Sequence, residues 1–121
     1  MRVILDENLP HQLRAHLAKH ETATTVYMGW GGFKNGALLK AAEDSGFDVL
    51  VTGDLSIERQ QNLKGRKLAI VSLSAHNWRI IKSHVAKIAA AVDGAGPGSI
   101  VRVECGRFSR RGAKPEGPSL G

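Results

Sequence analysis

The segment Phe47-Asp48-Val49-Leu50-Val51-Thr52-Gly53-Asp54 decides the fold of this chain. From Phe47 to Thr52 it is nearly all apolar, which is the pattern of a strand buried on both faces of a sheet. Such a strand needs helices above and below it. It also ends in an acid, Asp54. The start of the chain repeats the design: Arg2-Val3-Ile4-Leu5 is a short apolar run, and Asp6-Glu7-Asn8 follows it.

Working outward from these two strands, Asn8 fits a helix N-cap and Pro10 suits a first helical turn. Leu9, Leu13 and Leu17 recur every four residues, which predicts a helix to about His20. The β-branched stretch Thr22 to Tyr27 reads as strand two. Met28-Gly29-Trp30-Gly31-Gly32-Phe33 is too glycine-rich for either element and reads as a loop. Asn35 can cap the next helix, whose apolar face uses Leu38, Leu39 and Ala42, and Gly46 stops it. After strand three come a short helix from about Ser56 to Leu63 and strand four from Leu68 to Leu73. A long helix is marked by Ile81, Val85, Ile88 and Val92, and a last strand runs from Ser99 to Glu104.

Alternation of this kind predicts an α/β domain over residues 1–105, a three-layer α-β-α arrangement with a mainly parallel central sheet. The expected strand order is 2-1-3-4, with the fifth strand at an edge and its direction open. Residues 106–121 are rich in Gly, Arg, Pro and Ser, too polar to close a core, and are expected to form a basic disordered tail.

The 121 residues suffice for one core, and 42% hydrophobic with 23% charged residues is ordinary globular composition. The apolar runs are too short to span a bilayer. An acid stands at Asp6, where a signal peptide requires an apolar segment, and the lone Cys105 cannot form an internal disulfide. Both features lead to an expected cytoplasmic location. The net charge of +6 favours a polyanionic partner such as RNA, although four of the basic residues (Arg107, Arg110, Arg111 and Lys114) belong to the tail.

In sheets of this class, ligands bind beyond the C-terminal strand ends where the strand order reverses. That point falls between strands one and three, so Asp6 and Asp54 should meet there. Asn35, at the start of the second helix, and Ser72 or Ser74, after strand four, face the same edge. Two adjacent carboxylates repel unless one is protonated or a cation lies between them. Mg²⁺ or Mn²⁺ takes oxygen ligands, commonly one or two carboxylates with waters and substrate phosphate, and can activate water against a phosphodiester. Asp54 as a simple helix cap and Glu7 as a solvated charge are the competing readings.

The pieces Ile4-Leu5-Asp6-Glu7-Asn8-Leu9-Pro10, Asn35-Gly36-Ala37-Leu38-Leu39, Phe47 to Asp54 and Gln60-Gln61-Asn62-Leu63 together resemble the short PIN-like proteins. These are related to the toxin ribonucleases of bacterial toxin–antitoxin pairs, and the resemblance covers about residues 2–104. It implies a Mg²⁺- or Mn²⁺-dependent endoribonuclease with an RNA substrate, a cognate antitoxin and room for a homodimer. Asp6 and Asp54 match two of the family's metal-binding acids. Where many members carry further acids this chain has Asn35, Gly36, Ala37 and Ser56, which leaves Glu7, and less readily Glu43, as substitutes. Asp6, Asp54 and Glu7 are therefore the expected catalytic residues, and Asn8, Asn35, Gln61 and Asn62 the expected substrate contacts.

Smaller candidates are His11 for proton transfer and Trp30 for base stacking or packing. Trp78 reads as an anchor in the core or a loop, and His16 with His20 as an i, i+4 pair lacking a third zinc ligand. A scaffold that has lost catalysis but binds RNA or a protein is the alternative function. A receiver-like signalling domain is a remote one, because no lysine follows the last strand in Val103-Glu104-Cys105-Gly106.

Overall fold

The computed structural model describes residues 1–33, 35–54 and 66–105. Five parallel strands form one sheet: β1 (Arg2–Leu5), β2 (Glu21–Thr24), β3 (Val49–Thr52), β4 (Ala69–Leu73) and β5 (Ile100–Val103), in the order β2-β1-β3-β4-β5. The expected 2-1-3-4 order is observed. The fifth strand's open direction resolves as parallel, with Ile70 beside Ile100 and Leu73 beside Val103.

Alternation along the strands sorts the side chains into two cores. Val3, Leu5, Val49, Val51, Val71 and Leu73 point to one face and pack with Leu13, Leu17, Ile81, Ile88 and Val92. Ile4, Leu50 and Ile70 point to the other and pack with Leu38, Leu39, Ala42 and Phe47. The first face is covered by a 3-10 helix (His11–Leu17) together with α2 (Trp78–Ile81) and α3 (Val85–Gly94); the second is covered by α1 (Asn35–Asp44). The chain is thus an α/β three-layer domain. None of the helices among the described residues is long and apolar enough to cross a membrane.

The termination of α1 follows the sequence closely. Gly46 has φ 81°, the left-handed conformation that a Cβ disfavours. Its N–H reaches Glu43 O at 3.1 Å, and that of Phe47 reaches Ala42 O at 3.0 Å. These are the paired bonds of a Schellman cap, and buried Phe47 packs in the same cluster as Ala42.

Three elements differ from expectation. The first helix is a seven-residue 3-10 segment that neither begins at Asn8 nor reaches His20. The Asn8 side chain is engaged elsewhere, and neither an acid in the first turn nor a side-chain cap supports a longer α-helix. Strand two stops at Thr24 rather than Tyr27 because the Thr24 hydroxyl accepts the Tyr27 N–H at 3.0 Å and turns the chain. The long helix is divided: Asn77 caps α2 by accepting the Arg79 N–H at 2.8 Å, and a 3-10 turn (Lys82–His84) separates it from α3. The expected helix at Ser56–Leu63 and the tail at 106–121 lie outside the described residues.

Leu50 is fully buried at the centre of the sheet. Leu50→Ala is expected to lower the unfolding free energy by about 2–5 kcal/mol, the range for a large-to-small change in a packed core. Urea denaturation measures this directly.

Candidate active site

The face used by the connecting helix changes as the chain passes from β2 to β3, so the winding of the sheet reverses between β1 and β3. This is where Asp6 and Asp54 emerge. Parallel pairing of Val3–Leu5 with Val49–Val51 continues one step further, because the Asp6 N–H donates to Val51 O at 2.9 Å. Asp6 is consequently fixed by the ladder itself.

Thr52 links the two acids. Its hydroxyl donates to Asp6 Oδ2 at 2.7 Å and accepts the Asp54 N–H at 3.0 Å. Both roles of one hydroxyl are used, which orients one carboxylate and the backbone that carries the other. The intervening Gly53 is clamped on both sides. Its N–H donates to Asn8 Oδ1 at 3.2 Å, and its carbonyl lies 2.8 Å from His76 Nε2. A carbonyl only accepts, so His76 Nε2 carries the proton in this contact. A Cβ on residue 53 would lie 2.4 Å from His76 Cδ2 and 3.1 Å from Leu9 Cδ2, so the clamp requires glycine.

Burial pushes the Asp6 carboxyl above its ordinary value. The hydrogen bonds from Thr52 and from the Glu7 backbone oppose that shift, and the charges of Glu7 and Asp54 reinforce it. The half-buried acid is therefore held in a place that disfavours its own negative charge. A divalent cation would reverse this, and two carboxylates with waters and substrate phosphate are a donor set that Mg²⁺ or Mn²⁺ accepts. Among the described residues no group of three or more His, Cys, Asp and Glu stands together as a metal cage. The carboxylates whose charges act on Asp6 at this edge are those of Glu7 and Asp54.

The other candidates separate clearly. Glu7 is exposed and turns toward the glycine-rich loop, where Oε1 accepts the Gly32 N–H at 3.3 Å. Asn8 serves the clamp through its carbonyl oxygen. Asn35 is the first residue of α1. Gln61 and Asn62 lie outside the described residues. Glu43 is removed as a substitute acid, since it pairs with Arg66 Nη1 at 2.8 Å and accepts the Lys67 N–H at 3.0 Å near the beginning of β4, the opposite sheet edge. Ser72 is buried beside Thr52 in the β3–β4 register, and the Ser74 hydroxyl accepts the Cys105 N–H at 2.7 Å.

His11 is exposed and shares a cleft of about 410 Å³ with Asp6, between the ends of β1 and β2. Trp30 packs edge-on against Phe47, ring centroids 5.9 Å apart. His16 lies against Trp78 at 5.5 Å, whereas His20 Nε2 is 2.6 Å from Asp93 Oδ1, so the two histidines have separate partners. Lys19 and His20 hold the Asp93 carboxyl below its ordinary value.

Two residues of the site escaped sequence reading. Thr52 left a faint signal, a hydroxyl closing an otherwise Val/Leu strand two residues before an acid. His76 left none, because its role depends on its approach over Gly53.

Asp6 binds its proton more tightly in the folded than in the unfolded chain. Stability should therefore fall as pH rises from the unfolded value of 3.8 through the higher folded value. Asp6→Asn removes that charge, so its Tm should exceed that of the wild type at pH 7, with the gap narrowing toward pH 4. Thermal denaturation across this pH range checks the sign. Gly53→Ala should destabilise the protein by about 1–3 kcal/mol through overpacking against His76. The additional change His76→Ala should recover part of the loss.

Comparison with known proteins finds no matching family model, no matching curated protein and no matching solved structure.

Proposed function

We propose that this chain is a PIN-like, metal-dependent endoribonuclease, the toxin of a toxin–antitoxin pair acting in the cytoplasm. The observation that carries the reading is the pair of strand-end acids at the reversal of the sheet, joined by one threonine hydroxyl. Burial of Asp6 favours a cation partner, and the basic balance of the chain favours a polyanionic substrate.

Asp6 and Asp54 would hold Mg²⁺ or Mn²⁺, with Glu7 beside them. Bound there, the ion supplies Lewis-acid polarisation of the phosphodiester and a water acidic enough to attack it. Thr52 and the Gly53 clamp keep the acids oriented. His11 lines the same cleft as Asp6 and would take up or release a proton during cleavage.

The acids absent at Asn35, Gly36, Ala37 and Ser56, together with the diversion of Glu43 to Arg66, favour a second reading. In it the same edge belongs to a scaffold that binds RNA or a protein partner and no longer cuts.

Purified protein incubated with RNA and Mn²⁺ should cleave it. The Asp6→Ala, Asp54→Ala double variant should lose about 10²–10⁴-fold in rate, the usual scale for removing groups that activate water. Equal cleavage by both proteins rejects the nuclease reading. A wild type that binds RNA without cutting it, and gains no thermal stability from Mn²⁺, supports the scaffold.

A further inference from the structure

The aromatic side chains differ sharply in what their faces are used for. Trp30 is packed against Phe47 and stacked on Phe33, with ring centroids 5.9 and 6.3 Å away. Tyr27, by contrast, is 83% exposed, and its neighbour Val26 is 67% exposed. The turn that carries them is pinned by the Tyr27 N–H bond to Thr24 Oγ1 and by the bond from Met28 N–H to Thr24 O at 3.1 Å.

An exposed tyrosine alone means little. Tyr27 directly follows Val26, which lines a cleft. Thr24 and Val26, on either side of the turn's start, line the cleft of about 410 Å³ together with Leu9, His11 and the two acids Asp6 and Glu7. The walls are mostly apolar with a few polar groups, and the volume falls in the range of roughly 300–1,000 Å³ usual for small-molecule sites. Such a cleft suits a flat heteroaromatic base. Two of its lining residues, Asp6 and Glu7, are expected catalytic acids.

A second, more open cleft of about 620 Å³ shares His11 with the first and is lined by Arg14 and by Glu21, whose carboxylate lies 3.5 Å from Arg2 Nε. Arg14 donates Nε to Thr22 O at 3.0 Å. That bond uses one of five guanidinium N–H donors and steadies the side chain, leaving its other donors for further acceptors.

We propose that the two clefts, which share His11, carry a single RNA strand away from the acidic edge. One base sits in the β1–β2 cleft, Tyr27 stacks on the next base, and a following phosphate reaches Arg14. The inference rests on reading the Asp6–Asp54 edge as the place where RNA is cut. It specifies single-stranded RNA, because only unpaired bases can enter a cleft or stack on a side chain.

The test is fluorescence anisotropy with a labelled single-stranded RNA of roughly ten nucleotides, within the usual span of about 4–16 for such grooves. EDTA is present so that binding is read apart from cleavage. Tyr27→Ala should weaken binding about five- to a hundredfold, the scale of one lost base–aromatic stack, and Tyr27→Phe should retain it. Arg14→Ala should reduce the slope of log K against log[salt] by about 0.7, and Arg14→Lys should restore it. Binding by Tyr27→Ala and Arg14→Ala that equals the wild type overturns the path while leaving Mn²⁺-dependent cleavage untouched. Tyr27-dependent binding without cleavage supports the path and rejects the nuclease reading. A wild type that neither binds nor cuts this RNA rejects both.

Discussion

Parallel pairing of β1 with β3 is the constraint on which the rest of the molecule depends. These strands are neighbours in space but separated in sequence by β2 and two helical crossovers on opposite faces. The reversal leaves a crevice at their C-terminal ends, and the ladder sets its depth through the bond from Asp6 N–H to Val51 O. The Thr52–Asp6 and Gly53–Asn8 contacts of the site are built on that register. A slip of one residue would turn Val3 and Leu5 to the wrong face and carry Asp6 away from Thr52.

The site also concentrates tension that the two cores absorb elsewhere. Half-buried Asp6 is held where its charge is disfavoured, with Glu7 and Asp54 adding repulsion. Thr52 supplies the compensating hydrogen bond, and the Asn8–Gly53–His76 clamp keeps the loop that bears Asp54 against the sheet.

The opposite sheet edge shows ordinary structural use of charge. Glu43 satisfies Arg66 and the Lys67 N–H, and the Arg2 guanidinium lies 4.3 Å over the Phe47 ring while hydrogen-bonding Ser45 O. These contacts secure the end of α1 and the approach to β4. The contrast explains why the acids cannot be ranked by type alone: Glu43 and Asp6 are both partly buried, but one has an arginine partner and the other has acidic neighbours.

Much of the architecture was legible in the residue pattern. Double-sided apolarity at Val49–Val51, the spacing of Leu38, Leu39 and Ala42, and Gly46 with Phe47 after them are local signals. They lead directly to a helix-covered parallel sheet with acids at two strand ends. Local pattern misjudged the first helix, strand two and the divided long helix, because their limits depend on hydrogen bonds made by Asn8, Thr24 and Asn77. The tertiary structure alone decided that Thr52 joins the two acids, that His76 closes over Gly53, that Glu43 belongs to Arg66, and that Tyr27 rather than Trp30 keeps an open face. Each of these is a relation between side chains brought together by folding, and periodicity along a chain carries no information about which distant partner a side chain will meet.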